Sequence, residues 1–320
     1  MVAASVIVPA RDAAATIGRT LAALAGQDFP DEYEVIVVDD GSTDETVAIA
    51  EAAPGPVSVL SQDGRGPGEA RNAGGRVARG DILAFTDADC FPARDWLRAG
   101  AAALRHADLV QGAARPEDGV PLRPFDHTIW IVRESGLYET ASLFVRRELF
   151  TRVGGFEDWL DVRVGKRLGE DVWFGWKARR AGARTAFCEK ALVEHAVLPR
   201  RWYEFVGERR RLVYFPALVR RIPELRRLFL WARLFVTPRA AAFDAAAVGL
   251  AAGAVCAFAL PPATALLPVL AALPYARFLT RGVAHQGRHA PKVALVHALA
   301  DAVGLAALAW GSLRWRTVIL

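Results

Sequence analysis

Ile82-Leu83-Ala84-Phe85-Thr86-Asp87-Ala88-Asp89 is a short apolar run that ends in two carboxylates one residue apart. The run is entered from Gly80-Asp81 and left through Cys90-Phe91-Pro92, and its length and content predict a buried strand. In an open α/β sheet, ligands bind beyond the carboxyl ends of the strands. Two acids at such an end suit a hard divalent cation, which can in turn hold a diphosphate. An Asp-x-Asp pair alone also serves turns and helix caps, so the surrounding chain decides between the two readings.

Working outward, Ser5–Pro9 reads as a first buried strand, Thr16–Leu24 as a helix, Glu34–Val38 as a second strand and Asp44–Ala53 as a helix capped by Thr43 or Asp44. Val57–Leu60 is a third strand, Glu69–Ala78 a third helix, and the Asp87 strand follows. Alternating strands and helices predict a parallel, doubly wound sheet. A dinucleotide fold would place a Gly-x-Gly-x-x-Gly after the first strand, whereas Pro9-Ala10-Arg11-Asp12 stands there. The glycines at 64, 66 and 68 do not match that fingerprint and there is no Walker A lysine motif, which argues against hydride transfer and P-loop chemistry.

Four further groups fall at predicted strand tips or helix starts. Pro9-Ala10-Arg11 and Asp39-Asp40-Gly41-Ser42-Thr43-Asp44 follow adjacent strands. Their acids can accept bonds from a base or a ribose, or they can close turns and caps; Asp40 favours the first reading, and for Asp44 capping is an equal alternative. Gly66-Pro67-Gly68-Glu69-Ala70-Arg71-Asn72-Ala73-Gly74 opens a helix whose Arg71 could hold a diphosphate or lie on a solvated face. Gly169-Glu170-Asp171 also opens a helix, where acids satisfy the dipole or supply a general base facing a pocket. Val193-Glu194-His195 follows the Thr185–Phe187 strand; a lone His is commonly structural, and this one could also be a third metal ligand.

Taken in order, V-I-V-P-A-R, V-V-D-D-G-S-T-D, G-x-G-x-A-R-N-A-G, T-D-A-D and G-G-F…G-E-D resemble the family 2 glycosyltransferases over residues 4 to 200. The resemblance implies a Rossmann-like, mostly parallel glycosyltransferase A fold, a nucleotide-sugar donor with a UDP-sugar favoured, a Mg²⁺ or Mn²⁺ ion, and an inverting displacement. Carried over by position, it implies that Pro9, Arg11, Asp40, Arg71 and Asp87 bind the donor. Asp89 would bind the metal with Asp87 and His195, and Asp171 would be the base with Glu170 beside it. The Q-x-x-R-W motif of processive synthases has only Glu208-Arg209-Arg210-Arg211-Leu212 near its place, which points to adding one or a few sugars. A polymerising synthase and a non-catalytic membrane scaffold are the alternatives. A nucleotidyltransferase would want a Gly-rich basic loop after the first strand.

The 320 residues divide unevenly. Residues 1–205 form the expected catalytic domain. Between Arg200 and Arg239 stand eleven Arg against three Glu, interleaved with Trp and Phe. Residues 206–239 therefore read as basic amphipathic helices on an anionic membrane surface and not as a nucleic-acid site. Residues 240–320 read as membrane helices: a hairpin at 240–278 turning at Pro261-Pro262, and a third helix at 293–311 in or re-entering the interface. Arg239, Arg277 and Arg281 flank the hairpin and predict both its ends, and the catalytic domain, on the cytoplasmic face of a cell membrane. The basic segment and hairpin would then bring the Asp171 pocket to a lipid-linked acceptor or another glycan. Cys90, Cys188 and Cys256 have no metal-ligand spacing and suit a reducing compartment.

Overall fold

The computed structural model describes residues 1–160, 168–259 and 266–320. They form two compact units, one reaching to Pro199 and the other beginning at Arg200.

The first unit is a three-layer α/β structure. Strands β1 (Ala4–Ala10), β2 (Tyr33–Asp39), β3 (Val57–Ser61) and β4 (Ile82–Phe85) alternate with helices α1 (Ile17–Ala25), α2 (Thr46–Glu51) and α3 (Pro67–Val77). The chain continues through β5 (Cys90–Pro92), α4 (Trp96–Ala103), β6 (Leu109–Pro116), β7 (Leu143–Arg146), α5 (Arg147–Val153), α6 (Glu170–Arg180) and β8 (Thr185–His195). The sheet order is β3-β2-β1-β4-β7-β6-β8-β5. Strands β1 to β4 pair in parallel, as do β6 and β8, while β7 runs against β4 and β6, and β5 runs against β8. The β1 and β2 runs are buried almost throughout, as strands covered on both faces must be.

The expected elements are present with shifted ends. Helix α2 begins at Thr46 after Glu45, two residues later than the Asp44 start, and no side chain caps it in the usual way. Strand β8 reaches His195 where the apolar run predicted only Thr185–Phe187. Its charged Glu189 and Lys190 fall in a register shift against β6, where Gly112 pairs with Cys188 and Ala113 with Leu192. That bulge lets the strand resume and bring its last residues between β6 and the edge strand β5.

The second unit is helical. Short helices α7 (Trp202–Glu208), α8 (Phe215–Arg221) and α9 (Leu225–Leu228) are followed by long helices α10 (Pro238–Ala259), α11 (Leu266–Val283) and α12 (Ala290–Trp315). The inner stripe of α12 is Val293, Val296, Ala300, Gly304, Leu308 and Gly311, the three-to-four spacing of one helix face. Its other face exposes Leu295, Leu299, Trp310 and Leu313. Arg239 of α10 and Tyr275 of α11 both bond to Asp301 Oδ2 of α12, at 2.6 and 2.7 Å. Among the described residues one helical run, Leu270–Trp315, is long and apolar enough to cross a bilayer. The expected turn at Pro261-Pro262 lies outside the described residues.

Candidate active site

Two loops at the tips of β1 and β2 are stapled together. The backbone N–H of Asp12 donates to Ser42 Oγ at 2.9 Å, and Thr43 N–H donates to Asp12 Oδ1 at 2.8 Å. Asp12 holds a left-handed backbone, φ 49°, which Asp and Asn tolerate better than other side chains. This gives position 12 a role that the spacing alone did not suggest. Asp44 accepts from Ala14 N–H and Thr46 N–H, each at 3.0 Å, so its observed work is loop and helix-start bonding. The Thr46 hydroxyl, which also bonds to it, holds its carboxyl below the usual range.

Asp40 is buried against the loop after β3. Its Oδ1 accepts from Gln62 Nε2 at 2.6 Å and Arg65 N–H at 2.7 Å, and its Oδ2 from Gly66 N–H at 2.9 Å. Oδ1 is thereby filled, and Oδ2 keeps one acceptor position. The exposed guanidinium of Arg11 lies 4.0 Å from that oxygen, and Pro9 lies just upstream in β1. The group expected to meet a nucleoside is thus brought together, with Asp40 also shaping the loop that leads into α3.

Helix α3 starts after Gly66, whose φ of 94° suits glycine. Its first turns carry Arg71 and Asn72 inward. Asn72 Oδ1 accepts from Phe156 N–H at 2.8 Å, and its Nδ2 donates to the Phe156 carbonyl at 2.7 Å. This two-bond clamp joins the R-N-A-G and G-G-F stretches. Phe156 packs edge-on to Phe85, with centroids 5.2 Å apart, and against Phe174 at 4.6 Å, making an aromatic floor from β4, α6 and the loop after α5. Arg71 lies over that floor, 5.8 Å from the Phe156 ring.

Arg71 is 5% exposed, so its charge must be compensated. Its Nη2 is 2.6 Å from Asp87 Oδ1 and its Nη1 3.8 Å from Glu170 Oε1. Burial alone would lower its pKa; the charges of Asp87, Glu170 and Asp171 outweigh that and raise it. Glu170 and Asp171 open α6 behind Gly169, which has a left-handed φ of 90°. Burial, then the neighbouring Glu170 charge, hold the Asp171 carboxyl well above the usual carboxylate range. A carboxyl raised in this way is suited to proton transfer near neutral pH.

Arg71, Asp87, Glu170 and Asp171 line one cavity of about 350 Å³, together with Pro67, Thr140 and Glu139 and the wall Ile129-Trp130-Ile131. The donor-side Arg and the expected base therefore share a space. Glu139 and Trp130 carried no sequence signal. They belong to the connection between β6 and β7, which is held in place by a bridge from Ile131 to Ala114 and by Gln111, whose Nε2 donates to the Glu139 carbonyl at 3.0 Å.

Asp89 and His195 form a second group. Cys90 pairs with His195 between β5 and β8, and Ala196 N–H donates to the Asp89 carbonyl at 2.9 Å. His195 Nε2 then lies 3.5 Å from Asp89 Oδ2. His195 Nδ1 is 2.6 Å from the Ala196 carbonyl; a carbonyl only accepts, so Nδ1 carries a proton, and in the neutral ring Nε2 is the nitrogen that presents a lone pair. Burial, then the nearby Asp87 charge, raise the Asp89 carboxyl. Ligand atoms of Asp89, Cys90 and His195 lie within 4.8 Å of one another. Burial, then Asp87 and Asp89, push the Cys90 thiol far above its usual value, so it stays neutral. The usable donors are carboxylate oxygens and an imidazole nitrogen oriented by its other ring nitrogen, a set that fits Mn²⁺ or Mg²⁺.

Residues 5–157 match the model of glycosyl transferase family 2. Glycosyltransferase AglE of Haloferax volcanii is 33% identical over 210 residues, 61% of this chain and 67% of that one. The poly(ribitol-phosphate) beta-N-acetylglucosaminyltransferase TarS of Staphylococcus aureus is 35% identical over 159 residues, 43% of this chain and 28% of TarS. The pre-mycofactocin glycosyltransferase of Mycobacterium tuberculosis is 30% identical over 60% of this chain and 42% of its own. The chain thus spans less than half the length of the latter two. Among solved structures, the mannosyltransferase PcManGT of Pyrobaculum calidifontis, in complex with GDP-Man and Mn²⁺, superposes with a TM-score of 0.62 at 24% identity over 95% of this chain and 86% of that one. With the fold, the ordered motifs and the AglE relationship in agreement, the chain belongs to the family 2 glycosyltransferases and is a glycosyltransferase of the A fold.

Proposed function

We propose that the chain moves a sugar from a nucleotide-sugar donor, with a UDP-sugar favoured, to a hydroxyl of a lipid-linked acceptor, in a metal-dependent inverting displacement. The observation that carries this reading is the shared cavity of Arg71, Asp87, Glu170 and Asp171. Pro9, Arg11 and Asp40 hold the nucleoside, and Arg71 the diphosphate with Asp87 beside it. Asp89 and His195, with Asp87, hold a divalent cation that neutralises charge on the diphosphate when bound.

Asp171 accepts the proton of the acceptor hydroxyl as its oxygen bonds to the anomeric carbon. The bond from that carbon to the diphosphate breaks, and the electron pair leaves with the nucleoside diphosphate. Attack from the face opposite the leaving group inverts the anomeric centre. Glu170 compensates Arg71 and keeps the Asp171 carboxyl basic.

Membrane attachment is supported by the second unit. Exposed Trp202, Tyr203, Leu228 and Trp231 accompany exposed Arg201, Arg210, Arg227 and Arg233, a composition suited to an anionic interface. The outward apolar face of α12 favours lipid over water. We place the catalytic unit on the cytoplasmic side, where the arginines flanking the apolar helices favour it.

The test is nucleoside diphosphate release from UDP-, GDP- and dTDP-sugars by detergent-solubilised protein with Mn²⁺ or Mg²⁺, beside Asp89→Ala and Asp171→Ala. Release with one donor, lost in both variants, is expected. Absence of both donor binding and release with every sugar nucleotide tested would refute the reading and favour a scaffold; a product ladder would favour a polymerising synthase.

A further inference from the structure

Among the described residues, four carboxylates and one cation, Arg71, line the cavity. Asp87 and Glu170 face Arg71; among the described residues, neither Glu139 nor Asp171 makes an ion pair, although the Arg71 charge reaches Asp171. Glu139 Oε2 is fully buried and, among the described residues, has no hydrogen-bond partner, while the half-buried side chain as a whole lines the cavity. An acceptor atom left in that state costs free energy unless something fills it. Its backbone is fixed from beneath by Gln111, so the carboxyl is presented from a held position. Burial pushes it above the usual carboxylate range, and its charge is among those that raise Asp171; the two groups therefore sense one another. On the same cavity wall Trp130 is 62% exposed, although Ile131 beside it is buried and bonded to Ala114 at both backbone groups. An indole held in water at a cavity rim offers a flat amphipathic surface.

From this arrangement we infer that Glu139 and Trp130 form the acceptor subsite, with Trp130 stacking on a neutral sugar ring while Glu139 bonds to one of its hydroxyls and turns another toward Asp171. The inference rests on the proposed glycosyl transfer and adds a substrate class. Among the described residues, Glu139 and Asp171 are the cavity carboxyls without an ion pair, so an acceptor phosphate or carboxylate entering beside them meets like charge; the attacking group is then a hydroxyl of an uncharged sugar, and any lipid phosphate of the acceptor stays outside the cavity.

The test uses the full chain in detergent with the sugar nucleotide that it binds. Acceptors are octyl β-glucoside, octyl β-galactoside, octyl N-acetyl-β-glucosaminide, octyl β-glucuronide and geranylgeranyl phosphate. Neutral glycosides are expected to be used, and the glucuronide and the phosphate to be poor. Glu139→Ala and Trp130→Ala should raise the KM for the glycoside by roughly tenfold or more, the loss of about one hydrogen bond or ring contact, with Kd for the donor unchanged. Glu139→Gln and Trp130→Phe should recover part of the loss, and Glu139→Gln should relax discrimination against the glucuronide. An unchanged KM, a parallel fall in donor affinity, use of the phosphate alone, or donor binding with no glycoside accepted would each overturn the inference while leaving the donor reading intact. A wild-type chain that binds no sugar nucleotide would remove both.

Discussion

His195 Nε2 faces Asp89 Oδ2 at 3.5 Å because Cys90 and His195 are paired residues of neighbouring antiparallel strands. The contact joins side chains more than a hundred positions apart through backbone register. His195→Ala and Asp89→Ala should each weaken Mn²⁺ binding by at least about 10–100-fold, the range for disturbing even the outer partners of a metal. Cys90→Ser should leave it nearly unchanged, since the neutral thiol contributes no soft ligand. Electron paramagnetic resonance titration with Mn²⁺ separates these outcomes.

Asp171, the proposed base, should give two opposed pH effects. A base must be unprotonated, so kcat/KM should fall on an acid limb lying above the ordinary carboxylate value of about 4, because burial and then Glu170 raise this carboxyl. For stability, the folded chain holds the Asp171 proton more tightly than the unfolded chain. Its contribution is thus lost as pH rises from the unfolded value through the raised folded one. Asp171→Asn should lower kcat by about 10²–10⁴-fold yet melt above the wild type at neutral pH. A pH series of melting curves and rates checks both.

Arg71 is the buried cation between Asp87 and Glu170. Arg71→Met leaves two carboxylates uncompensated and should cost about 3–5 kcal/mol, with a lower melting temperature and weaker donor binding. Arg71→Lys keeps the charge without the planar fork and should recover much of the stability but little of the donor affinity. Denaturant unfolding and donor titration distinguish the two variants.

Much of this candidate site's layout was legible in the sequence because its parts sit where strands end and helices begin. Asp40, Arg71, Asp87, Asp89 and Asp171 are each announced by an apolar run or a glycine turn. The antiparallel β7 was not legible, since the direction of pairing depends on how a long connection returns. The end of β8 was hidden by Glu189 and Lys190, which fall in a register shift. Glu139 and Trp130 lie in irregular chain, where no periodicity marks an inward side chain. The function of Asn72 required seeing Phe156 clamped against it.

Membrane association should depend on charge. Replacing the exposed Arg210, Arg227 and Arg233 by Gln should weaken binding to phosphatidylglycerol-containing vesicles by about 1 kcal/mol per residue at low ionic strength. The difference should shrink as salt is raised. Flotation of the full chain with neutral and anionic vesicles measures it, and equal binding to both would exclude an electrostatic contribution.

The pairing of β5 with β8 also fixes when the site comes into being. Asp89 leaves the ribosome early, but its partner is in the last residue of the final strand of the sheet. Contacts between such distant parts of a chain form late in folding, after the cost of closing a long loop has been met. Nascent chains ending before β8 would therefore carry the tip loops of β1 and β2 without the proposed metal site. A cation held as proposed would bind only to the finished sheet and stabilise it by mass action, and its affinity would then report whether the last strand has docked.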